Sequence, residues 1–374
     1  MKMTHRERLL RTLRFESVDR GVDYEFGAWE QTITRWHKEG LPEKFTGFWG
    51  KENAINQYFK TDDIEYGPGP EVNVGLLPGF EFKVIEEKGD HLIARDGNGA
   101  IVEMLRPELG ASIPRTLRNA IENRKDWEKI RDERLDPASP GRIPDNLDEL
   151  CRKSLDADYP IIIGGVSLYG VLRNWIGLEN ISVTLYENET WIEEMMEHLA
   201  HLALTVFKNL AGKCKIDVYE WWEDMCYNKG PLISPAHFKK LMVPRYKRIT
   251  DFLRHECGCE FNKLDSDGNI HELMPLWLEG GINVMVPLEV AATDAYKISS
   301  QFGKKVALCG YFNKFALIKG KETIDKEFKR LEPLFKWGGF IPHPDHCVPP
   351  DVSWENYCYY RKRKCEFIGK DTTL

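Results

Sequence analysis

The 374-residue chain has no apolar run approaching the roughly 20 residues that cross a bilayer as a helix. Its opening, MKMTHRERLL, lacks the apolar core of a signal peptide. Lys and Arg are not clustered, and the net charge is −7, which argues against a duplex nucleic-acid partner. Nine cysteines, an odd number without framework spacing, fit a reducing compartment. The expectation is a cytoplasmic protein. No Gly-rich phosphate loop follows any strand candidate, which weighs against a doubly wound nucleotide-binding sheet.

What is present is an alternation of buried strands and helices. THRE at 4–7 reads as a capping box that opens an N-terminal helix. Seven strand candidates follow: VDYEF (22–26), PIIIGGV (160–166), KIDVYEWW (215–222), CEFNKLD (259–265), INVMVPLE (282–289), KVALCGYF (305–312) and GFIPHPD (339–345). PIIIGGV is apolar without alternation, as in a strand covered on both faces. WIEEMMEHLAHLALTVF (191–207) gathers Ile192, Met195, Met196, Leu199, Leu202, Ala203, Val206 and Phe207 on one helical face. Residues 80–104 differ, with β-type runs broken by KGD and DGNG, and predict an antiparallel insertion or cap. The pattern predicts one α/β domain over 1–374, a (β/α)8 TIM barrel with one strand unplaced.

Barrel active sites lie at the C-terminal ends of the strands, and here those ends are polar. They carry Glu25; Ser167 and Tyr169; Glu220, Glu223 and Asp224; Asp265 and Asp267; Glu289; Tyr311 and Asn313; and His343, Asp345 and His346. Carboxylates converging on one pocket need a cation or must hold protons. Either a metal held by oxygens and an imidazole, or a pair of carboxyls acting as acid and base, satisfies that. Asp267-Gly268-Asn269 also reads as plain turn chemistry capping the next helix. Cys257-Gly258-Cys259 has no second cysteine pair nearby to complete a metal site.

Five stretches carry a resemblance: MTHRERLLRTLRFESVDRG (3–21), TRWHKEGLP (34–42), YEWWEDMCYNKGPLISP (219–235), LDSDGNI (264–270) and GGFIPHPDHCVPPDVSWENY (338–357). The chain resembles the uroporphyrinogen decarboxylase superfamily, in its decarboxylase-like and corrinoid-linked methyltransferase branch. The resemblance implies a (β/α)8 barrel and supplies the missing strand. The arginine-rich motif that grips a tetrapyrrole's carboxylates is absent from VDYEFGAWEQTITRW (22–36), so classical decarboxylation is not expected. Asp265 and Asp267 fall where methyltransferases of that branch have a zinc-binding His and Cys, and His346 falls near the later Cys.

The resemblance thus implies metal-assisted transfer of a methyl group from a small methylated substrate, an O-methyl ether, to a corrinoid carried by a partner protein. Zinc would sit on Asp265, Asp267 and His346, with Glu289 or Glu223 as a further ligand. Tyr169, Glu220, Glu223 and His343 would handle substrate and protons. Pairing as a homodimer is implied as well. A rival reading is a metal-independent lyase, in which Asp265 or Asp267 protonates carbon and Arg173 or Arg35 holds a carboxylate. A third is a binding barrel without catalysis.

Overall fold

The computed structural model describes residues 2–48, 53–62, 64, 69–106 and 113–371. A four-stranded antiparallel sheet is built from β1 (Lys83–Lys88), β2 (His91–Arg95), β3 (Ile101–Leu105) and β4 (Arg115–Arg118), in that order. The expected insertion therefore runs past residue 104 to a fourth strand. The main sheet has six parallel strands: β5 (Ile162–Val166) and β6 (Val218–Trp222), then, after a two-stranded ribbon of β7 (Cys226–Tyr227) and β8 (Gly230–Pro231), β9 (Phe261–Asp265), β10 (Val284–Leu288), β11 (Ala307–Phe312) and β12 (Phe340–Pro344). Each pairs with its neighbours in sequence, in the order β12-β11-β10-β9-β6-β5.

Side-chain parity shows how this sheet is shaped. Alternate residues of every strand belong to different cores. Ile163, Tyr219, Leu264, Met285, Leu308 and Phe340 pack outward in the large cluster that the helices cover. Ile162, Val218, Phe261, Val284, Ala307 and Ile341 join a second cluster, plugged by Leu9, Leu10 and Leu13 of the first helix, His5–Leu13. In a flat sheet β5 and β12 would stand about 24 Å apart. Yet Ile162 and Ile341 line the same 20 Å³ cavity, together with Val218, Val286 and Cys309. The sheet is rolled into a barrel wall, and the second cluster is its interior.

The expected strand at 22–26 is buried through Glu25 but forms no ladder; a single parallel bridge, Ala28 to Val348, ties this stretch to the chain after β12. Charge holds it instead. Asp23 and Glu25, both buried, face Arg361 and Lys364 of the C-terminal helix Trp354–Ile368. Arg361 grips Asp23 through two hydrogen bonds of 2.8 Å, and Lys364 reaches Glu25 at 2.8 Å. Tyr24 from this stretch enters the interior cluster. Among the described residues no ladder closes the ring between β12 and β5.

Thr4 caps the first helix, accepting from the Glu7 amide at 3.1 Å, as the capping box requires. The helix Glu189–Phe207 buries the stripe read from its sequence. Gly258, at φ +67°, ends the helix Val243–Cys257 in the left-handed C-cap conformation, so Cys257 and Cys259 flank a helix stop. Cys151 and Cys214 lie side by side, with Cα atoms 4.4 Å apart, a closeness that their spacing did not signal. Among the described residues no helix is long and apolar enough to cross a membrane.

Candidate active site

Inward parity stacks Phe261, Lys263 and Asp265 along β9, from the apolar interior toward the mouth. On β6 it stacks Val218, Glu220 and Trp222 in the same way. Above the apolar plug these residues open into a cavity of 610 Å³, walled by Tyr24, Phe26 and Trp222 with Glu71, Glu220, Lys263 and Asp265 as its charged groups. Lys263 and Glu220 form an ion pair across adjacent strands. The Lys263 ammonium also lies 5.7 Å from the centroid of the Tyr24 ring.

The Asp265 carboxyl enters this cavity with no hydrogen-bond or ion-pair partner among the described residues, while its backbone carbonyl accepts from the amides of Glu223 and Asp224. Burial pushes its pKa up to about 7, and the neighbouring Asp267 adds to the rise, while Lys263 and His346 pull the other way. At neutral pH a large share of it is a protonated acid.

Asp267 and His346 meet at the rim, with Nε2 to Oδ2 at 3.4 Å. Burial alone would lower the His346 pKa. The Asp267 carboxylate and the Cys347 thiol outweigh it and raise the value to about 10, so the ring is an imidazolium. Phe26 and Trp29 flank it at 5.5 and 6.4 Å. Glu289, just after β10, turns to the Gly268 amide at 3.0 Å and to Lys314 at 3.6 Å. Gly268, at φ +78°, leaves no room for a side chain, since a Cβ would fall 2.7 Å from the Tyr227 backbone. The turn reading of this stretch thus holds for Gly268 and Asn269, whose side chain accepts from the His271 amide.

The expected metal ligands are therefore divided between separate jobs. Asp265 stands alone in the cavity, Asp267 is paired to His346, and Glu289 is paired to Lys314. Among the described residues no three His, Cys, Asp or Glu side chains are arranged to hold a metal ion. The residues as placed do not fit a zinc centre.

The remaining expected catalytic residues are spread more widely. Glu220 lines the cavity. Glu223 does not: it is fully buried and accepts from the amides of Leu168, Tyr169 and Gly170 at 2.7–2.8 Å, from Ser167 at 3.2 Å and from Tyr246 at 2.7 Å. That saturates both oxygens at the start of the helix Tyr169–Ile176. Tyr169 is also core, its hydroxyl donating to the Leu232 carbonyl at 3.3 Å. His343 is buried beneath Phe26, stacked at 5.8 Å and edge-on to Tyr24. Burial, with Lys364 nearby, lowers its pKa to about 3, so the ring is neutral. Its Nδ1 donates to the Pro344 carbonyl at 2.8 Å. Arg173 is committed to Asp224 at 2.8 Å and Arg35 to Glu39 at 2.6 Å. Neither lines the cavity.

The sequence reading missed Lys263, Tyr24, Phe26 and the Cys347 contact. The period-2 pattern of FNKLD carries the first, because a lysine two residues before an inward aspartate shares its face.

The sequence pattern of the family described as uroporphyrinogen decarboxylase (URO-D) matches residues 101–361. The chain belongs to this family. No curated protein matches it. Among solved structures, a methyltransferase from Methanosarcina mazei is similar, with a TM-score of 0.60 and 14% identity over 98% of this chain and 99% of that one. That likeness is one of fold. For this member of the uroporphyrinogen decarboxylase family, it agrees with the rolled parallel sheet.

Proposed function

We propose that the protein is a methyltransferase that takes a methyl group from a small O-methyl ether and passes it to a corrinoid held by a partner protein. The observation that carries this reading is the Asp265 carboxyl, unpartnered in an aromatic-walled cavity of 610 Å³. An ether methyl is hard to remove because the oxygen leaves with the electron pair of the broken C–O bond. A carboxylic acid within reach of that oxygen supplies the proton and stabilises the developing charge. Tyr24, Phe26 and Trp222 exclude water from around the ether, and the Lys263–Glu220 pair orients its polar end. The corrinoid, when present, supplies the reduced cobalt that takes up the methyl group.

The test is a panel of methyl ethers incubated with the protein and reduced cobalamin, followed by the visible spectrum of the methylated cofactor. Methyl transfer that survives exhaustive chelation is the expected result. Activity lost on chelation and restored by zinc would move the work from the carboxyl to a metal. A second reading, a metal-independent decarboxylase-like lyase, is favoured by Lys263, whose ammonium could hold a substrate carboxylate in the same cavity. Carbon dioxide released from a small carboxylated substrate, with no ether demethylated, would establish it.

A further inference from the structure

On the outside of the barrel, along the helix Trp354–Ile368, lies a groove of 1230 Å³ that shares no lining residue with the mouth cavity. Seven lysine and arginine side chains line it against three carboxylates, on a chain whose net charge is −7. We propose that this groove binds a small polyanion, a ligand with two or more phosphate or carboxylate charges.

Charge accounting behind the groove motivates the proposal. The buried network that holds residues 22–26 sets three cations, Arg361, Lys364 and Lys370, against two carboxylates, Asp23 and Glu25. One positive charge is left over at the back of the groove, where Lys370 reaches the buried Asp23 from the groove wall. Arg361, 1% exposed, lines the groove, and its Nε is buried without a hydrogen-bond partner among the described residues. Toward solvent the groove adds Lys2, Lys60 and Lys362, whose ammonium groups have no partner among the described residues. The unsatisfied donor at the back and the free cations in front ask for the same thing, an acceptor with several negative charges.

The experiment is isothermal titration calorimetry at low salt with two probes, pyrophosphate and citrate, on wild type and on Lys60→Glu/Lys362→Glu. Both substituted residues are exposed and neither lines the mouth cavity, so the variant retains the fold. The expected result is one equivalent bound with a dissociation constant of about 1 mM or tighter, weakened at least ~10-fold in the variant. The tighter probe tells whether phosphate or carboxylate is the natural chemistry. The same anion raises the melting temperature of wild type more than that of the variant. Failure of both anions to bind, or equal binding by the variant, overturns the proposal. Neither outcome bears on methyl transfer, which is assayed separately at the mouth.

Discussion

Asp265, Asp267 and His346 lie within a few residues of one another in space, yet they hold protons very differently. Asp265 is a half-protonated acid because its burial and the Asp267 charge outweigh the pull of Lys263 and His346. His346 keeps its proton because Asp267 does compensate. The second pair gives a direct prediction. A histidine whose pKa is raised on folding contributes stability fully below its unfolded value of about 6.5, and that contribution fades as pH rises toward about 10. Asp267→Asn should therefore destabilise the protein most at pH 6 and hardly at all above pH 10. Urea unfolding at several pH values checks the trend, and proton NMR of the His346 ring should show its titration moving down in the variant. A penalty that stays flat with pH would mean that His346 is not charged by Asp267. The two aspartates were visible in the sequence as polar residues at a strand end. Their division of labour was not, because it depends on His346 and Cys347 reaching Asp267 from another part of the chain.

Strand–helix units explain why some conspicuous acids are not in the cavity. YEWWEDM places Glu220 and Glu223 three residues apart, and β6 ends between them at Trp222. Glu220 keeps strand parity and faces inward; Glu223 lies beyond the strand, where the chain turns. There it gathers three amides that the helix Tyr169–Ile176 cannot satisfy itself. Glu223→Ala would leave those amides, and the Tyr246 hydroxyl, buried without an acceptor. We expect a loss of about 3 kcal/mol in urea unfolding, together with weakened protection of the 168–170 amides from hydrogen exchange. Unchanged stability would contradict the capping role. Strand positions 162–166, 218–222, 261–265, 284–288, 307–312 and 340–344 were legible because buried parallel strands are apolar and β-branched. The end of each strand decides whether an acid works or caps, and ends are set by packing rather than by composition.

The whole molecule is a rolled sheet whose open side is occupied by a segment held through charge. VDYEF was read as a strand from its pattern, but its two acids belong to an ion network with the C-terminal helix, more than 330 residues away in sequence. No local signal could reveal that partner. Burial works against the Asp23 carboxylate, but Arg361 and Lys364 prevail and hold its pKa well below the usual range. A carboxylate depressed in this way contributes stability above its unfolded value of about 4 and loses it as pH falls further. Asp23→Asn should cost about 3–5 kcal/mol at neutral pH, with the deficit shrinking on acidification below pH 4. An equal deficit at pH 3 and pH 7 would contradict the network's role. The barrel held in this way places the mouth cavity, and with it the lone carboxyl on which the account rests. The most direct measurement is the single-turnover rate of ether demethylation against pH, for wild type and Asp265→Asn. The account predicts a wild-type rate that falls as pH rises through about 7, and a variant slower by about 100-fold without that fall. An Asp265→Asn enzyme as fast as wild type across the same range would contradict it.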